Sequence, residues 1–583
     1  MHASAAEISR RIWESKYRDG GEGRPERSIT DSWRRIARTL ATVEPEGADL
    51  WEQRFYEILR DFAFLPGGRI QAGAGTGRTV SLFNCFVMGR IEDSIPGIFR
   101  ALEEGAVTMQ QGGGVGYDFS TLRPAGSVAR GAGTVASGPV SFMRIWDAMC
   151  ATILSTGARR GAMMGTLRCD HPDIEAFIDA KRTPGELRHF NLSVLASDAF
   201  MAAVRAGTDW PLEFPASAFD GVQRRVEARA LWERMLQAAY DCAEPGVLFI
   251  DRINRLNNLA YCERITATNP CGEVPLPPYG ACDLGSINLT RLVRDPFSPA
   301  ARFDEDALRA LVPVAVRLLD NVVDASRYPL PQQAQAAHGA RRLGLGITGL
   351  ADALIMLGQA YDQPEGRLAA AQVMRLIRDE AYRASVALAR EKGAFPLFDR
   401  DAYLAAPFVS ALPEDVREGI AAGGLRNSHL LAIAPAGTIS LLAGGVSSGL
   451  EPAFAAAYER MVLDPDGRPR TFEITDFALT LWRTLHEAGS APPAFTTAGE
   501  LTPSAHLEMQ AALQPFVDSA ISKTVNVPES CTFEAFRRLY DRAYDLGLKG
   551  CTAFRPNPTT GSAPQRVSNA DAPPCCGIER EAD

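Results

Sequence analysis

The segment Asn269-Pro270-Cys271-Gly272-Glu273 sets an amide, a thiol and a carboxylate at alternate positions. Pro270 biases Asn269 away from helix toward extended geometry, and Gly272 permits close packing or an unusual turn. In an extended stretch, residues i, i+2 and i+4 point the same way. Asn269, Cys271 and Glu273 would then converge on one spot, where they could hold a sugar diol while the sulfur acts on it. Proton shuttling by Glu273 would need a perturbed carboxyl pKa. On residues alone a cysteine among polar groups is more often structural, so both readings stand at this point. Cys85 and Cys282, taken singly, read as buried thiols of the core.

A second constellation lies downstream. The strand-like run 430–435 leads into Ala436-Gly437-Thr438-Ile439-Ser440 and then a helix start. Backbone N–H groups at such a turn, with the Thr438 and Ser440 hydroxyls, would make an anion site. An ordinary strand-to-helix turn is the alternative. Gly344-Leu345-Gly346-Ile347-Thr348-Gly349 satisfies GxGxxG, but the basic, helix-compatible stretch 334–342 precedes it where a dinucleotide site needs a strand opening a βαβ unit. Close backbone packing inside a sheet is the reading preferred here.

Elements must hold these residues in place. Helical periodicity recurs at roughly 95–110, 139–155, 229–243, 305–325 and 365–392, the last stopping before Gly393. Leu308, Leu311, Leu319 and Val322 share one helix face. Strand-type apolar runs fall at 191–196, 247–250, 343–348 and 430–435. Helices alternating with strands over so much chain predict an α/β architecture around a buried sheet. Residues 1–60 read as polar helical segments, 61–556 as the α/β unit, and 557–583, rich in Pro, Ser, Thr and Asn, as a flexible tail.

Composition narrows the function classes. With 583 residues, 46% hydrophobic and 22% charged, the chain has the make-up of a large globular protein. A net charge of −9 argues against nucleic-acid or anionic-membrane binding, while leaving room for local basic pockets. No apolar run approaches the roughly 18–20 residues that span a bilayer, and no signal peptide is evident. Eleven cysteines, an odd number without an export signal, suit reduced thiols in the cytoplasm. No metal site is expected.

Taken in order along the chain, the motifs resemble the catalytic subunits of ribonucleotide reductases. The resemblance runs from about residue 15 to 556. It rests on Asn269-Pro270-Cys271-Gly272-Glu273, Phe83-Asn84-Cys85-Phe86-Val87, Gly112-Gly113-Gly114-Val115-Gly116, Gly280-Ala281-Cys282-Asp283-Leu284, Leu343-Gly344-Leu345-Gly346 and Pro435-Ala436-Gly437-Thr438-Ile439-Ser440. It implies a ten-stranded α/β barrel with Cys271 on a central finger loop. It implies that Cys271 becomes a thiyl radical, Glu273 is the base on the 3′-hydroxyl, Asn269 holds the diol, and Cys85 and Cys282 reduce the sugar and end as a disulfide. That disulfide requires their Cα atoms within about 7 Å. Asn84, Gly114 and the 435–440 turn would bind substrate, taken to be a ribonucleoside diphosphate. One departure is Gly67-Gly68-Arg69, where relatives carry Ser/Thr-Pro and a hydroxyl for phosphate.

The resemblance also bears on the radical source. The stretch Gly550-Cys551-Thr552-Ala553-Phe554-Arg555 lacks the tyrosine pair of the oxygen-dependent kind, and 573–583 lacks a glycyl-radical signature. Elimination leaves adenosylcobalamin, although no cobalamin motif is visible. Gly157-Ala158-Arg159-Arg160-Gly161, with Arg123 nearby, resembles the loop through which a deoxynucleotide or ATP effector sets specificity across a homodimer. No ATP cone is expected before residue 1–60, hence no overall shut-off by dATP. Cys575 and Cys576 resemble the tail pair that passes electrons from a thioredoxin-like reductant. Adjacent cysteines form a strained ring, so a shortened tail, an incomplete zinc site or a one-thiol role stay open. The alternatives to the whole reading are a large subunit that needs a separate radical-generating protein, and a catalytically silent regulatory paralogue.

Overall fold

Apolar strands buried on both faces, separated by long helices, close around the motifs. The computed structural model describes residues 3–21, 25–127, 135–155, 159–183, 185–214, 222–463, 469–486 and 490–556. Its main sheet has ten strands: β1 (Phe64–Pro66), β2 (Cys85–Val87), β3 (Gly114–Asp118), β4 (Met163–Arg168), β5 (Phe190–Ala196), β6 (Gly246–Phe249), β7 (Ala281–Asn288), β8 (Leu343–Thr348), β9 (Thr524–Asn526) and β10 (Gly550–Phe554). Strands β2 to β6 run parallel in chain order. β7 joins β2 antiparallel at one seam, and β10 joins β6 antiparallel at the other.

The second half is likewise parallel. β8 lies beside β7, and β9 beside β10. Isolated parallel bridges Leu345↔Leu431 and Ile433↔Ile521 carry the path between them. The hydrogen bonds Leu345 N–H to Leu430 O at 2.8 Å and Ser522 N–H to Ile433 O at 2.9 Å belong to that path. The pairings therefore return on themselves as a barrel, with residues 430–435, predicted as a strand, joining it through single bridges. β1 adds end to end with β2 along β7.

The expected helices form at Ile95–Gln110, Pro139–Thr152, Ala228–Cys242, Glu305–Ala325 and Pro364–Lys392. Glu305–Ala325 starts where Asp304 caps the Ala307 N–H at 3.0 Å, with Glu305 and Asp306 complementing the positive helix end. It packs on Pro364–Lys392, on β7 and β8, and on the N-terminal helices Ile29–Ala41 and Ala48–Leu59. Buried Glu44 ties that junction together, accepting from Arg317 at 3.1 Å, Asn321 at 2.8 Å and Lys392 at 2.9 Å. Among the described residues no helix is long and apolar enough to cross a membrane.

The glycines of the GxGxxG run serve the barrel wall. A Cβ at Gly346 would come within 2.3 Å of Ala432 O, and one at Gly344 within 2.4 Å of Leu284 Cδ2. Neighbouring backbone at Gly346 and the Leu284 side chain at Gly344 leave no room for side chains there.

Candidate active site

A short hairpin, Ala267–Thr268 against Pro275–Leu276, enters the barrel and carries Asn269 to Glu273 at its tip. The barrel wall makes way for it. A Cβ at Gly116 would sit 1.9 Å from Thr268 O, and one at Gly114 would sit 3.3 Å from the Pro270 ring. Three further bonds pin the hairpin: Asn191 Nδ2 donates to Pro270 O at 2.8 Å, Thr166 Oγ1 to Thr266 O at 3.3 Å, and Ala520 N–H to Glu273 O at 2.8 Å. A small apolar cluster of Val87, Ala267, Val274, Leu276, Leu284, Ala432 and Ala434 surrounds Cys85 and Cys282.

The tip is a turn, which differs from the extended geometry expected of it. Gly272 N–H donates to Asn269 O at 3.1 Å with Pro270 at the second position, and Gly272 has φ +84°. Asn269 closes the loop, its Oδ1 accepting from Val274 N–H at 3.0 Å. The polar trio converges because the chain reverses, and strand alternation plays no part.

The neighbouring groups sort by burial. Asn269, Glu273, Cys85 and Cys282 are fully buried, while Cys271 at the tip is half-buried. Asn269 Nδ2 donates to Cys85 Sγ at 3.2 Å, and the Cys85 thiol lies 3.9 Å from Glu273 Oε1. Cys85 and Cys282 face each other directly across the antiparallel β2–β7 seam. Opposed residues in such a pair have Cα atoms about 4.5–5.5 Å apart, inside the span of a disulfide. Both are thiols here.

Burial dominates the electrostatics. It pushes the Glu273 carboxyl up to about 7, against hydrogen bonds from Asn269, its own backbone and Cys85 that favour the anion. It drives the Cys85 thiol well above its ordinary value, with negative charge on Glu273, Cys282 or Cys271 adding to the effect. Cys282 is raised for the same first reason and then by Asp283, with Arg342 opposing. At neutral pH the pair is therefore protonated, a store of hydrogen rather than of nucleophile.

Two buried polar groups at this place have no hydrogen-bond partner among the described residues. Glu273 Oε2 is one, and both amide atoms of Asn84 are the other. Orphaned polar atoms beside a tight thiol cluster call for a polar guest. A model of the ribonucleotide reductase barrel domain matches residues 83–554, and one of the ribonucleotide reductase all-alpha domain matches residues 4–79. The chain belongs to the ribonucleotide reductase family. It is 39% identical over 95% of its length to a vitamin B12-dependent ribonucleoside-diphosphate reductase of Mycobacterium tuberculosis, spanning 79% of that protein. A relative of the same name from Thermoplasma acidophilum is 38% identical over 86% of this chain and 65% of its own. A vitamin B12-dependent ribonucleotide reductase of Streptomyces clavuligerus is 29% identical over 94% of this chain, which spans 65% of it.

Within this family member, the remaining predicted residues fall at several places. Pro435 ends the 430–435 strand, Ala436 adopts φ +55°, and a one-turn helix, Gly437–Leu442, begins inside the motif. A non-glycine residue in that backbone region is strained, and such strain clusters at working sites. Ser440 Oγ is committed to Thr348 Oγ1 at 2.6 Å, so Thr438 is the hydroxyl left at the turn. Ile439 is buried and contributes backbone alone. Gly67 abuts Asn84, and Arg69 is buried with its guanidinium against Gly112, where a Cβ would come within 2.4 Å of Nη1. Arg123 pairs with Asp93 at 2.8 Å. Arg159 and Arg160 form a short strand against Leu154–Ser155, their side chains lying outside the described residues, as do Gly157 and Ala158. Cys575 and Cys576 lie outside them too. Sequence reading missed Asn191 and Ala520, which hold the finger through a distant strand and through backbone and which no local pattern marks; Gly116 stood in a quoted motif but without this role.

Proposed function

We propose that this chain reduces ribonucleoside diphosphates to 2′-deoxyribonucleotides with adenosylcobalamin as its radical source. The observation that carries the reading is the seam that puts Cys85 opposite Cys282, with Glu273 and Asn269 against the same sulfur. The donor set fits the cofactor. Cys271 is the one part-exposed thiol of the cluster, and β10 offers Ala553 and Phe554 where a tyrosine relay would run. Cys271 would be the thiol available to the bound group, which would supply the initiating radical.

The chain's own residues divide the rest. Cys271, as thiyl, takes hydrogen from C3′ of the ribose and returns it at the end. Glu273, near pH 7 in its titration, accepts the 3′-hydroxyl proton, and its unpartnered Oε2 is the atom available to do so. Asn269 and Asn84 hold the diol and sugar, with Gly114 giving the finger its close seat on the wall. Cys85 and Cys282 give up two protons and two electrons; the 2′-hydroxyl leaves as water and a disulfide forms. The 435–440 turn would receive the phosphates at Gly437, Thr438 and Ile439. The effector role of Arg123, Arg159 and Arg160, the electron shuttle at Cys575 and Cys576, a thioredoxin-like reductant and a homodimer complete the reading.

The test is conversion of CDP by the purified chain with dithiothreitol, with and without adenosylcobalamin and without any other subunit. Product only with the cofactor supports the proposal. Product that needs a second protein, with none from cobalamin, overturns it in favour of a subunit with an external radical source.

A further inference from the structure

The N-terminal helices dock at the phosphate end of this site. Ala3–Ile12 packs against Gly437–Leu442, and Ser9 Oγ donates to Leu442 O. The chain then forms a π-helical turn, Trp13–Tyr17, from which half-buried Lys16 donates through Nζ to Thr438 Oγ1 at 3.4 Å. Thr438 is the hydroxyl at the mouth of the 436–440 turn. The same π-helical turn touches the helix Gly68–Gly73, whose preceding Gly67 abuts Asn84.

The turn that presents Lys16 is clamped. Trp13 Nε1 donates to Ser32 Oγ at 2.7 Å, and Ser32 Oγ donates to Glu26 Oε2 at 2.7 Å. Glu26 also accepts from Arg35 Nε and from the Asp19 N–H, each at 2.8 Å. Arg35 reaches Gln71 O at 3.0 Å and Tyr17 O at 3.3 Å, linking the turn to the helix behind Gly67. A flexible lysine on a free helix would lose much rotamer freedom on meeting a ligand. One held by its own backbone at the site loses less.

Chemistry makes the purpose specific. An ammonium is a compact charge with three donors, suited to phosphate oxygens spread over a diphosphate. Gly67-Gly68-Arg69 supplies no hydroxyl, and the buried guanidinium of Arg69 lies beside Gly112. Beside this turn Arg78 bonds to Arg18 O at 3.4 Å, while Glu14 and Glu26 lie on the same N-terminal segment.

We propose that Lys16, delivered by the all-α segment rather than by the barrel, binds the diphosphate of the substrate jointly with Thr438. This rests on the reading of 436–440 as the phosphate turn. Lys16 is a binding residue, remote from the reacting carbon, so its loss acts on KM and leaves kcat nearly intact.

The test measures CDP and cytidine binding by calorimetry, and KM and kcat for CDP, in wild type, Lys16→Gln, Lys16→Arg and Thr438→Val. A lost charge-assisted hydrogen bond predicts CDP binding about tenfold to a hundredfold weaker in Lys16→Gln. Lys16→Arg should recover most of it, and cytidine binding should be unchanged in all. Weakening by Thr438→Val with none by Lys16→Gln overturns the inference and leaves the phosphate turn standing. No weakening by either variant overturns both. Equal loss in Lys16→Gln and Lys16→Arg, or equal loss for cytidine, would mean a structural side chain and also overturns the inference.

Discussion

Glu273 offers a sharp test because its carboxyl is buried, orphaned at one oxygen and titrates at about 7 rather than 4.5. A displacement of that size is worth about 3 kcal/mol in favour of the protonated form. The sign follows from linkage. A carboxyl with a raised folded pKa contributes stability that is fully present below its unfolded value and lost as pH rises through about 7. Glu273→Gln keeps the shape and stays neutral. It should lie within about 1 kcal/mol of wild type at pH 5 and exceed it at pH 8.5 by about 3 kcal/mol. In a chain of this size that is a few degrees in melting temperature, read by differential scanning calorimetry at both pH values. Activity moves the other way: kcat/KM of wild type should rise through about pH 7 as the base ionises, and the variant should fall about 10²- to 10⁴-fold. A stability difference equal at the two pH values, or a variant within tenfold of wild type, would refute the assignment of Glu273 as a desolvated base.

Other outcomes follow from the same geometry. Cys271→Ser should abolish deoxynucleotide formation while CDP still binds, measured by product analysis beside calorimetry; residual product above background would remove Cys271 from the chemistry. A single turnover without added reductant should leave Cys85 linked to Cys282 in peptide maps after acid trapping, because the seam already sets them opposite. Linkage of either to another thiol would defeat that argument. Gly116→Ala drives a methyl to 1.9 Å from Thr268 O, so the finger must shift. Activity should drop more than tenfold with the barrel still folded, as circular dichroism would report, and unchanged turnover would show that the finger tolerates displacement.

Much of the fold could be read from periodicity, since long helices such as Glu305–Ala325 and Pro364–Lys392 repeat their pattern many times. The run 430–435 read as a strand and pairs as one through single bridges, though it forms no extended ladder. The thiols and carboxylate of the site were legible as residue types in order. How they meet was not. The tip of the finger is a turn because Pro270 and Gly272 bracket Cys271, and period-two reasoning fails where φ turns positive. The Cys85–Cys282 register arises from pairing across almost two hundred residues, beyond any local window. Asn191 and Lys16 look like unremarkable polar residues of a strand and a helix. Only the folded chain brings one to Pro270 and the other to Thr438.

The annular pairing of the barrel has a consequence for how the molecule comes into being. β10 bridges β6 and β9, and it is the last strand among the described residues. During synthesis, the thiols of the finger and of β2 emerge long before that strand exists. Until it docks, β6 presents a bare edge and water can enter from the side. Damage or truncation near residue 550 would thus unseal a chamber whose reactive parts lie hundreds of positions upstream. The chamber around the finger closes only when β10 is in place.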